Sequence, residues 1–304
     1  MQRAYTYALY GSPPLPLLTS VQARLRATLF NSGGRYLGDE DSLVRGGAPP
    51  SPAAAAAAAA APAAQWGGAR SFPWVELAVM GRSNAGKSTL LNALLRPAPH
   101  RGGGAQPAGR GSLKSFVPVS KTPGTTARLD FYGVGQAQPP LLVLVDTPGY
   151  GYSARGKGRH GAWMARMAEY LRTRRTLSSG PTGSPLLARV MLLADARLGL
   201  TDLDHDVLAA LDEARLPCHV VLTKADAVRS GEARAATAAA VAAGLRGYKM
   251  PFPHLSAVAA ETGEGMPELA ATLMHTAKLH RLTEADFAAH KEELGLREAS
   301  APRA

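Results

Sequence analysis

The chain has 304 residues, of which 46% are hydrophobic and 19% are charged, so it is long enough to form a sizeable folded core. It contains no apolar run of about 18 residues or more, which excludes a typical membrane-spanning helix. Its single cysteine, Cys218, excludes an intramolecular disulfide and favours a reducing compartment. Because Cys218 lies in an apolar run, we predict a buried thiol with a packing role.

The net charge of +11 is unevenly distributed along the chain. Residues 82–175 contain fifteen Lys and Arg residues but only three acids, a net charge of +12. A basic excess confined to one stretch favours a polyanionic partner such as a nucleic acid. The alternative is a solvated basic face with a few phosphate-binding residues.

Residues 1–70 are predicted to be a leader and linker and not a folded domain. The segment from Met1 to Gly38 has four arginines and no acid, and Thr19–Phe30 can form a short amphipathic helix. This composition is typical of organelle transit peptides. It predicts import into mitochondria, with the chloroplast as an alternative, and a disordered extension as the second alternative. Residues 46–70 are a Gly/Pro/Ala linker.

From Phe72 onward, short apolar strands alternate with amphipathic helices, which predicts an α/β fold with a mostly parallel sheet. Two stretches rich in Gly, Pro and Ser, at 97–112 and 178–185, interrupt this pattern and are predicted to be surface insertions. In chain order the predicted elements are strand Val75–Met80, helix Lys87–Leu95, strands Leu129–Val134 and Leu141–Val145, helix Ala162–Arg175, strand Arg189–Ala194, helix Leu203–Ala214, strand His219–Leu222, helix Gly231–Ala243, strand Phe252–Leu255 and helix Met266–His280.

The segment Gly81–Ser88 (GRSNAGKS) follows the first of these strands and opens the first helix. It matches the phosphate-binding P-loop pattern in the structural context that the pattern requires. Its glycines let backbone N–H groups surround phosphates, and the helix N-terminus adds positive potential. Lys87 is predicted to reach the β- and γ-phosphates, and the Ser88 hydroxyl to bind Mg²⁺.

Asp146-Thr-Pro-Gly149 ends an apolar run and is predicted to be the second element of the metal site. A carboxylate at the tip of a buried strand that faces the P-loop is where the Mg²⁺ shell needs an acid. Gly149 leaves its backbone free to contact a γ-phosphate.

Thr223-Lys-Ala-Asp226 follows another predicted strand and indicates guanine recognition. The Asp226 carboxylate can accept hydrogen bonds from the two guanine donors N1 and N2, whereas adenine presents the opposite pattern. The Lys224 stem can cover the purine face. Ser256-Ala257, after the last strand, can supply a backbone N–H to the guanine carbonyl.

These motifs, together with Ser120–Gly124 (SKTPG) and Asp146–Tyr152 (DTPGYGY), resemble the EngB family (also called YsxC or YihA), ribosome-assembly GTPases of the TrmE–Era branch. The resemblance extends to about residue 280. It implies a GTPase domain at 71–280, with a Ras-like P-loop fold and a mostly parallel six-stranded sheet flanked by helices, and leaves 281–304 as a tail. It also implies binding of GTP or GDP with Mg²⁺, and a role on the large ribosomal subunit or its rRNA, as a monomer.

The resemblance also assigns site residues. Lys87, Thr126 and Gly149 are the expected catalytic residues, and Ser88, Thr126 and Asp146 the expected metal ligands. Asn84 matches a P-loop asparagine that helps bind an activating potassium ion in relatives, so K⁺ is a second expected cofactor. The nucleotide site is expected to comprise Gly81, Arg82, Ser83, Asn84, Ala85, Gly86, Lys87, Ser88, Thr89, Gly124, Thr125, Thr126, Asp146, Thr147, Pro148, Gly149, Thr223, Lys224, Ala225, Asp226, Leu255, Ser256 and Ala257.

Some positions depart from the expected pattern. Tyr150 stands where Ras-like proteins carry a water-positioning glutamine, a substitution that EngB-like proteins share, so slow hydrolysis is expected without a partner. Thr125 replaces the usual arginine before the switch I threonine. Two other functions are consistent with the motifs: a GTP-binding placeholder on RNA that hydrolyses negligibly, and a tRNA-modification GTPase.

Overall fold

The computed structural model describes residues 6–8, 20–39, 71–72, 74–96, 117, 129–135, 140–151, 167–175, 178–179 and 186–281. The linker at 46–70, the insertion at 97–112 and the tail beyond Arg281 lie outside these ranges. Within them, no helix is both long enough and apolar enough to cross a lipid bilayer.

The described residues form ten strands. They are β1 (Thr6–Ala8), β2 (Gly34–Asp39), β3 (Ser71–Phe72), β4 (Val75–Gly81), β5 (Asp130–Val134), β6 (Leu142–Asp146), β7 (Ser178–Ser179), β8 (Leu187–Asp195), β9 (Cys218–Thr223) and β10 (His254–Ala257). A mixed sheet forms the centre of the fold, with eight strands in the order β1-β10-β9-β8-β4-β6-β5-β2. Strands β10, β9, β8, β4 and β6 are mutually parallel, whereas β5 runs antiparallel to β6. A second, two-stranded sheet pairs β3 with β7.

The helices cover both faces of this sheet and create two apolar clusters. Helices α1, α2 and α6 contribute buried side chains to one cluster, and α3, α4 and α5 to the other. Their bounds are α1 (Ser20–Asn31), α2 (Lys87–Leu95), α3 (residues 167–175), α4 (Asp202–Glu213), α5 (Gly231–Leu245) and α6 (Met266–Thr276), with 3₁₀ turns at Ala225–Ala227 and Leu279–Arg281.

Strand β4 shows why the sequence folds in this way. Every residue from Val75 to Gly81 is buried, as expected for a central parallel strand that is covered on both faces. The exception to its apolar character is Glu76, whose carboxylate accepts hydrogen bonds from Trp74 Nε1 (3.3 Å) and the Tyr170 hydroxyl (3.1 Å). The P-loop therefore begins at the end of a strand that is fully packed on both faces.

Each strand and helix predicted from Val75 onward is confirmed as an element, although residues 162–166 of the helix predicted at 162–175 lie outside the described residues. Most bounds shift by one or two residues, and two differences have a clear physical reason. The last strand begins at His254 and not at Phe252, because Pro253 has no N–H to donate to the ladder. Helix α6 ends at Thr276 and not at His280, because Lys278 adopts a left-handed conformation (φ 57°) that stops the helix. Cys218 is buried as predicted, and burial raises the pKa of its thiol to about 12.

The expectation of a six-stranded sheet is wrong at both edges. The six predicted strands form the centre of the sheet, but β1 adds antiparallel to β10 and β2 adds antiparallel to β5. Both extra strands come from the segment that was expected to lack folded structure. Helix α1 confirms the predicted Thr19–Phe30 helix, yet it packs on the domain: Leu29 is 1% exposed and Arg26 Nη1 donates to the Pro267 carbonyl at 3.4 Å.

Candidate nucleotide site

The P-loop connects β4 to α2 through two residues in the left-handed conformation, Asn84 (φ 65°) and Gly86 (φ 89°). Glycine accommodates this conformation freely, and asparagine tolerates it better than most residues. A Cβ added to Gly81 would lie 3.0 Å from the Leu193 carbonyl oxygen, so the loop begins where β4 passes close to β8. The Ala85 carbonyl accepts a hydrogen bond from Thr223 Oγ1 at 2.7 Å. This hydrogen bond ties the loop to the end of β9.

Lys87 and Asp146 form the charged centre of the site. Lys87 is 9% exposed, and its ammonium donates to the carbonyls of Gly81 (3.1 Å) and Arg82 (3.3 Å). Burial lowers the pKa of Lys87, an effect that nearby Asp146 opposes. Burial raises the pKa of Asp146 to about 7, and this effect exceeds the opposing attraction of Lys87.

Asp146 also supplies a test of the expected metal. The residue is 2% exposed, and its Oδ1 has no hydrogen-bond partner among the described residues. A buried carboxylate oxygen that lacks a partner is costly unless a ligand completes its shell. Oxygen ligands from Asp146 and the partly exposed Ser88 are the type that Mg²⁺ prefers, so the residues present fit this ion.

Gly149 lies against the Lys87 ammonium. A Cβ on Gly149 would be 2.8 Å from Lys87 Nζ and 3.1 Å from the Ser83 backbone nitrogen, so a side chain would intrude on the loop. The two remaining members of this motif are buried, and the Thr147 hydroxyl donates back to the Val79 carbonyl at 2.8 Å. Thr147 and Pro148 are therefore packed into the protein interior, and Thr147 ties the motif to β4, while the Gly149 backbone borders the space beside Lys87.

The predicted base-recognition segments also meet at this edge of the sheet. Strands β9 and β10 pair in parallel, and the Ala225 N–H donates to the Val258 carbonyl at 3.0 Å, which joins the two segments. Asp226 is exposed, so its carboxylate is available to a ligand. Leu255, Ser256 and Ala257 are buried, and the Ser256 hydroxyl is hydrogen-bonded to His219 Nε2 at 3.0 Å. That leaves backbone groups of this segment as its means of contacting a base.

The structure thus brings together four of the five predicted segments at the carboxyl ends of β4, β6, β9 and β10. The remaining P-loop residues, Ser83, Ser88 and Thr89, are partly exposed along the same loop and first helical turn. The fifth segment, Gly124, Thr125 and Thr126, lies outside the described residues. Its predicted roles in switch I and in metal binding stay predictions.

Sequence reasoning assigned no role to three polar residues, Asn92, Asp195 and Asp204. The Tyr150 hydroxyl donates to Asp204 Oδ1 at 2.6 Å, and Arg82 Nε lies 3.5 Å from Asp204 Oδ2. Asp195 lies beside Lys224, with 3.0 Å between Oδ2 and Nζ. Asn92 makes two hydrogen bonds with the backbone of Val117, at 2.8 and 3.0 Å. The available signal for Asn92 was a polar residue among the leucines of α2.

Known proteins resemble this chain over the same region. Residues 76–224 match a family model described as 50S ribosome-binding GTPase. A probable GTP-binding protein EngB from Rhodopseudomonas palustris (strain TIE-1) is 40% identical over 202 residues, which is 66% of this chain and 79% of the relative. A probable GTP-binding protein EngB from Granulibacter bethesdensis is 38% identical over 199 residues, 66% of this chain and 75% of the relative.

Solved structures resemble the chain more weakly. Era from Aquifex aeolicus, bound to GDP and AlF4⁻, has a TM-score of 0.49 and 17% identity, and covers 68% of this chain and 57% of its own. No functional conclusion follows from this likeness. The sequence identities of 38–40% to the bacterial relatives, over more than two thirds of the length of those proteins, are sufficient on their own to assign the chain to a family. The chain belongs to the EngB family of GTPases.

Proposed function

We propose that this protein is a Mg²⁺-dependent GTPase that acts as a nucleotide-controlled switch in assembly of the large ribosomal subunit, in mitochondria. The observation that supports it most strongly is the grouping of Lys87, Asp146 and Gly149. A buried ammonium and a backbone that admits no side chain meet beside the P-loop with a carboxylate oxygen that has no hydrogen-bond partner among the described residues. This combination suits a polyphosphate with its metal ion.

The phosphates of GTP would replace carbonyls as partners of Lys87. The ammonium donates to two P-loop carbonyls, so it is held in the loop that would surround the phosphates. The Gly149 N–H would donate to the γ-phosphate. Loss of the γ-phosphate after hydrolysis would remove this hydrogen bond and release the segment that follows Gly149. Mg²⁺, held by Ser88, Asp146 and Thr126, would neutralise charge on the β- and γ-phosphates.

Guanine selection would rest on Asp226. An exposed carboxylate can accept both guanine N–H groups, and a site built on a substrate hydrogen bond rejects the wrong analogue by roughly 10⁴–10⁵. Hydrolysis would be slow, about 10⁻⁴–10⁻³ s⁻¹ without a partner, because no glutamine follows Gly149. Potassium near Asn84 would raise that rate.

The ribosomal partner is proposed from family and charge together. The matching family model carries the description 50S ribosome-binding GTPase, and the +12 stretch at 82–175 includes both expected switch segments. A cationic surface next to a nucleotide-dependent segment can bind rRNA in one nucleotide state more strongly than in the other. The mitochondrial location rests on the arginine-rich, acid-free composition of residues 1–38.

Co-sedimentation with purified large-subunit particles tests this proposal. The wild-type protein should sediment with the particles in a non-hydrolysable GTP analogue and much less in GDP. Asp226→Asn is the matched variant, because an amide favours xanthine over guanine. It should lose the response to the GTP analogue and regain it with the xanthosine analogue.

Each alternative has a distinct outcome. Equal sedimentation in both nucleotides, without multiple-turnover phosphate release, would indicate a GTP-binding placeholder. Binding to tRNA in place of particles would indicate a tRNA-modification GTPase. Comparable affinities of the wild type for ATP and GTP would contradict the assignment of Asp226.

A further inference from the structure

Lys224, the lysine of the base-recognition motif, is held in an unusual position. It follows β9 directly and has a φ of 55°, a left-handed conformation that costs free energy for a residue with a Cβ. Its ammonium donates to the Asn84 carbonyl of the P-loop at 2.7 Å and to Asp195 Oδ2 at 3.0 Å. Two groups from distant parts of the chain therefore fix the end of this side chain.

Asp195, the last residue of β8, is a buried carboxylate that remains ionised. It pairs with Thr223 in the sheet register and is 3% exposed. Burial opposes ionisation, but hydrogen bonds from Arg197 and Lys224 outweigh it and hold the pKa of Asp195 below its usual range. The carboxylate thus carries a negative charge at the point where β8 ends, next to the base-recognition turn.

The two oxygens of Asp195 have different partners. Oδ1 accepts from the Arg197 backbone N–H (3.0 Å) and from Arg197 Nε (2.9 Å), which closes the turn after β8. Oδ2 accepts from Lys224 Nζ and from Arg197 Nη2 (2.6 Å). An asparagine in this position would keep the acceptor that closes the turn and would lose the anionic partner of Lys224.

We propose that Asp195 is a positioning residue for guanine recognition, which acts by anchoring Lys224 so that its methylene stem lies where the purine face binds. The inference rests on the proposed binding of a guanine nucleotide. A free lysine populates many rotamers and loses them on binding, so a lysine that is anchored beforehand binds the base more tightly. The anchor also joins the base-recognition turn to the P-loop through Asn84.

A double-mutant cycle on the full-length protein tests the anchor, with fluorescent N-methylanthraniloyl-GDP as the probe. Asp195→Asn should weaken GDP binding about tenfold, mainly through faster dissociation, because a charged hydrogen bond is lost. Lys224→Met should weaken it at least as much. The double variant should bind no more weakly than Lys224→Met alone, because Asp195 acts through that lysine. In GTP hydrolysis the loss should appear in KM and not in kcat.

Arg197→Ala is the matched control. It removes the other cation that contacts Asp195. Because the Arg197 side chain is 52% exposed, the substitution should leave GDP affinity within twofold of wild type. Unchanged affinity of Asp195→Asn, or losses that add in the double variant, would overturn the inference. A lowered melting temperature of nucleotide-free Asp195→Asn with additive losses would assign Asp195 a purely structural role. If the wild type bound no guanine nucleotide, the proposed function itself would fail.

Discussion

At the scale of single residues, Tyr150 shows how the neighbourhood of a side chain changes its role. It occupies the position of the glutamine that positions water in Ras-like proteins, yet it is 4% exposed and its hydroxyl donates to Asp204. Burial raises the pKa of Tyr150, and the adjacent Asp204 raises it further. Asp204 Oδ2 also accepts from the Thr201 N–H and hydroxyl, both at 2.8 Å, and so caps α4. Tyr150 therefore joins the end of the Asp146 motif to α4.

Tyr150→Phe should destabilise the protein without slowing hydrolysis. We expect the free energy of unfolding in urea to fall by about 1–3 kcal/mol, because a buried hydrogen bond to a carboxylate is lost. The rate of single-turnover GTP hydrolysis should stay within twofold of wild type, because the hydroxyl is committed to Asp204. Tyr248→Phe, whose half-buried hydroxyl contacts His205, is the control and should cost less. A large loss of hydrolysis at unchanged stability would instead place the Tyr150 hydroxyl in the reaction.

At the scale of elements, the N-terminal segment is part of the GTPase domain. Strand β2 covers the edge of β5, and the Tyr36 hydroxyl donates to Asp130, the first residue of β5, at 3.1 Å. Leu29 packs in the same apolar cluster as α2 and α6. Proteolytic removal of residues 1–70 during import would take away these packed residues. If residues 1–38 direct import, as proposed, they must therefore stay in the mature protein, because α1 and β2 belong to its fold.

Leu29→Ala tests whether α1 contributes to stability. The side chain is 1% exposed, so its truncation should lower the free energy of unfolding by about 2–5 kcal/mol. Asn31→Ala, on the exposed end of the same helix, should change it by no more than about 0.5 kcal/mol. Thermal and urea unfolding of the nucleotide-bound protein measure both changes. Equal, small effects would show that α1 does not contribute to the stability of the domain.

At the scale of the whole molecule, positive charge is concentrated in one part of the chain. The basic stretch at 82–175 carries a net charge of +12, whereas the chain beyond it carries more acids than bases. Most of its cations, among them Arg155, Lys157 and Arg159, lie outside the described residues. The proposal that this stretch binds rRNA therefore rests on the sequence and on the family.

Salt dependence of particle binding tests that proposal. Replacing Arg155, Lys157 and Arg159 together by glutamine should reduce the slope of log K against log salt concentration by about 2–3, since each phosphate contact contributes about 0.7–0.9. Affinity for GDP should not change. The matched control replaces Arg229, Arg246 and Lys249, three exposed cations outside the stretch. If both triple variants lowered the slope equally, binding would depend on total charge and not on this surface.

The sequence by itself determined the order of the main-sheet strands and of the helices from Val75 onward, though not the short strand β7. It also identified the segments that meet at the candidate nucleotide site. Both depend on short-range patterns: apolar runs of strand length, helical periodicity, and motifs whose residues are close together in the chain. The family could be recognised for the same reason. The parallel order of the central strands followed from the alternation of strands and helices.

Only the tertiary structure decided which elements and side chains meet. Strands β1 and β2 are short and weakly apolar, so they could be identified only from their pairing with β10 and β5 in the structure. The bond from Tyr150 to Asp204 spans 54 positions, and the contact of Lys224 with Asn84 spans 140. No local pattern encodes such contacts, because they depend on how the strand ends come together at one edge of the sheet. The anchoring of Lys224 by Asp195 is of this kind: the residue types were in the sequence, and their proximity was not.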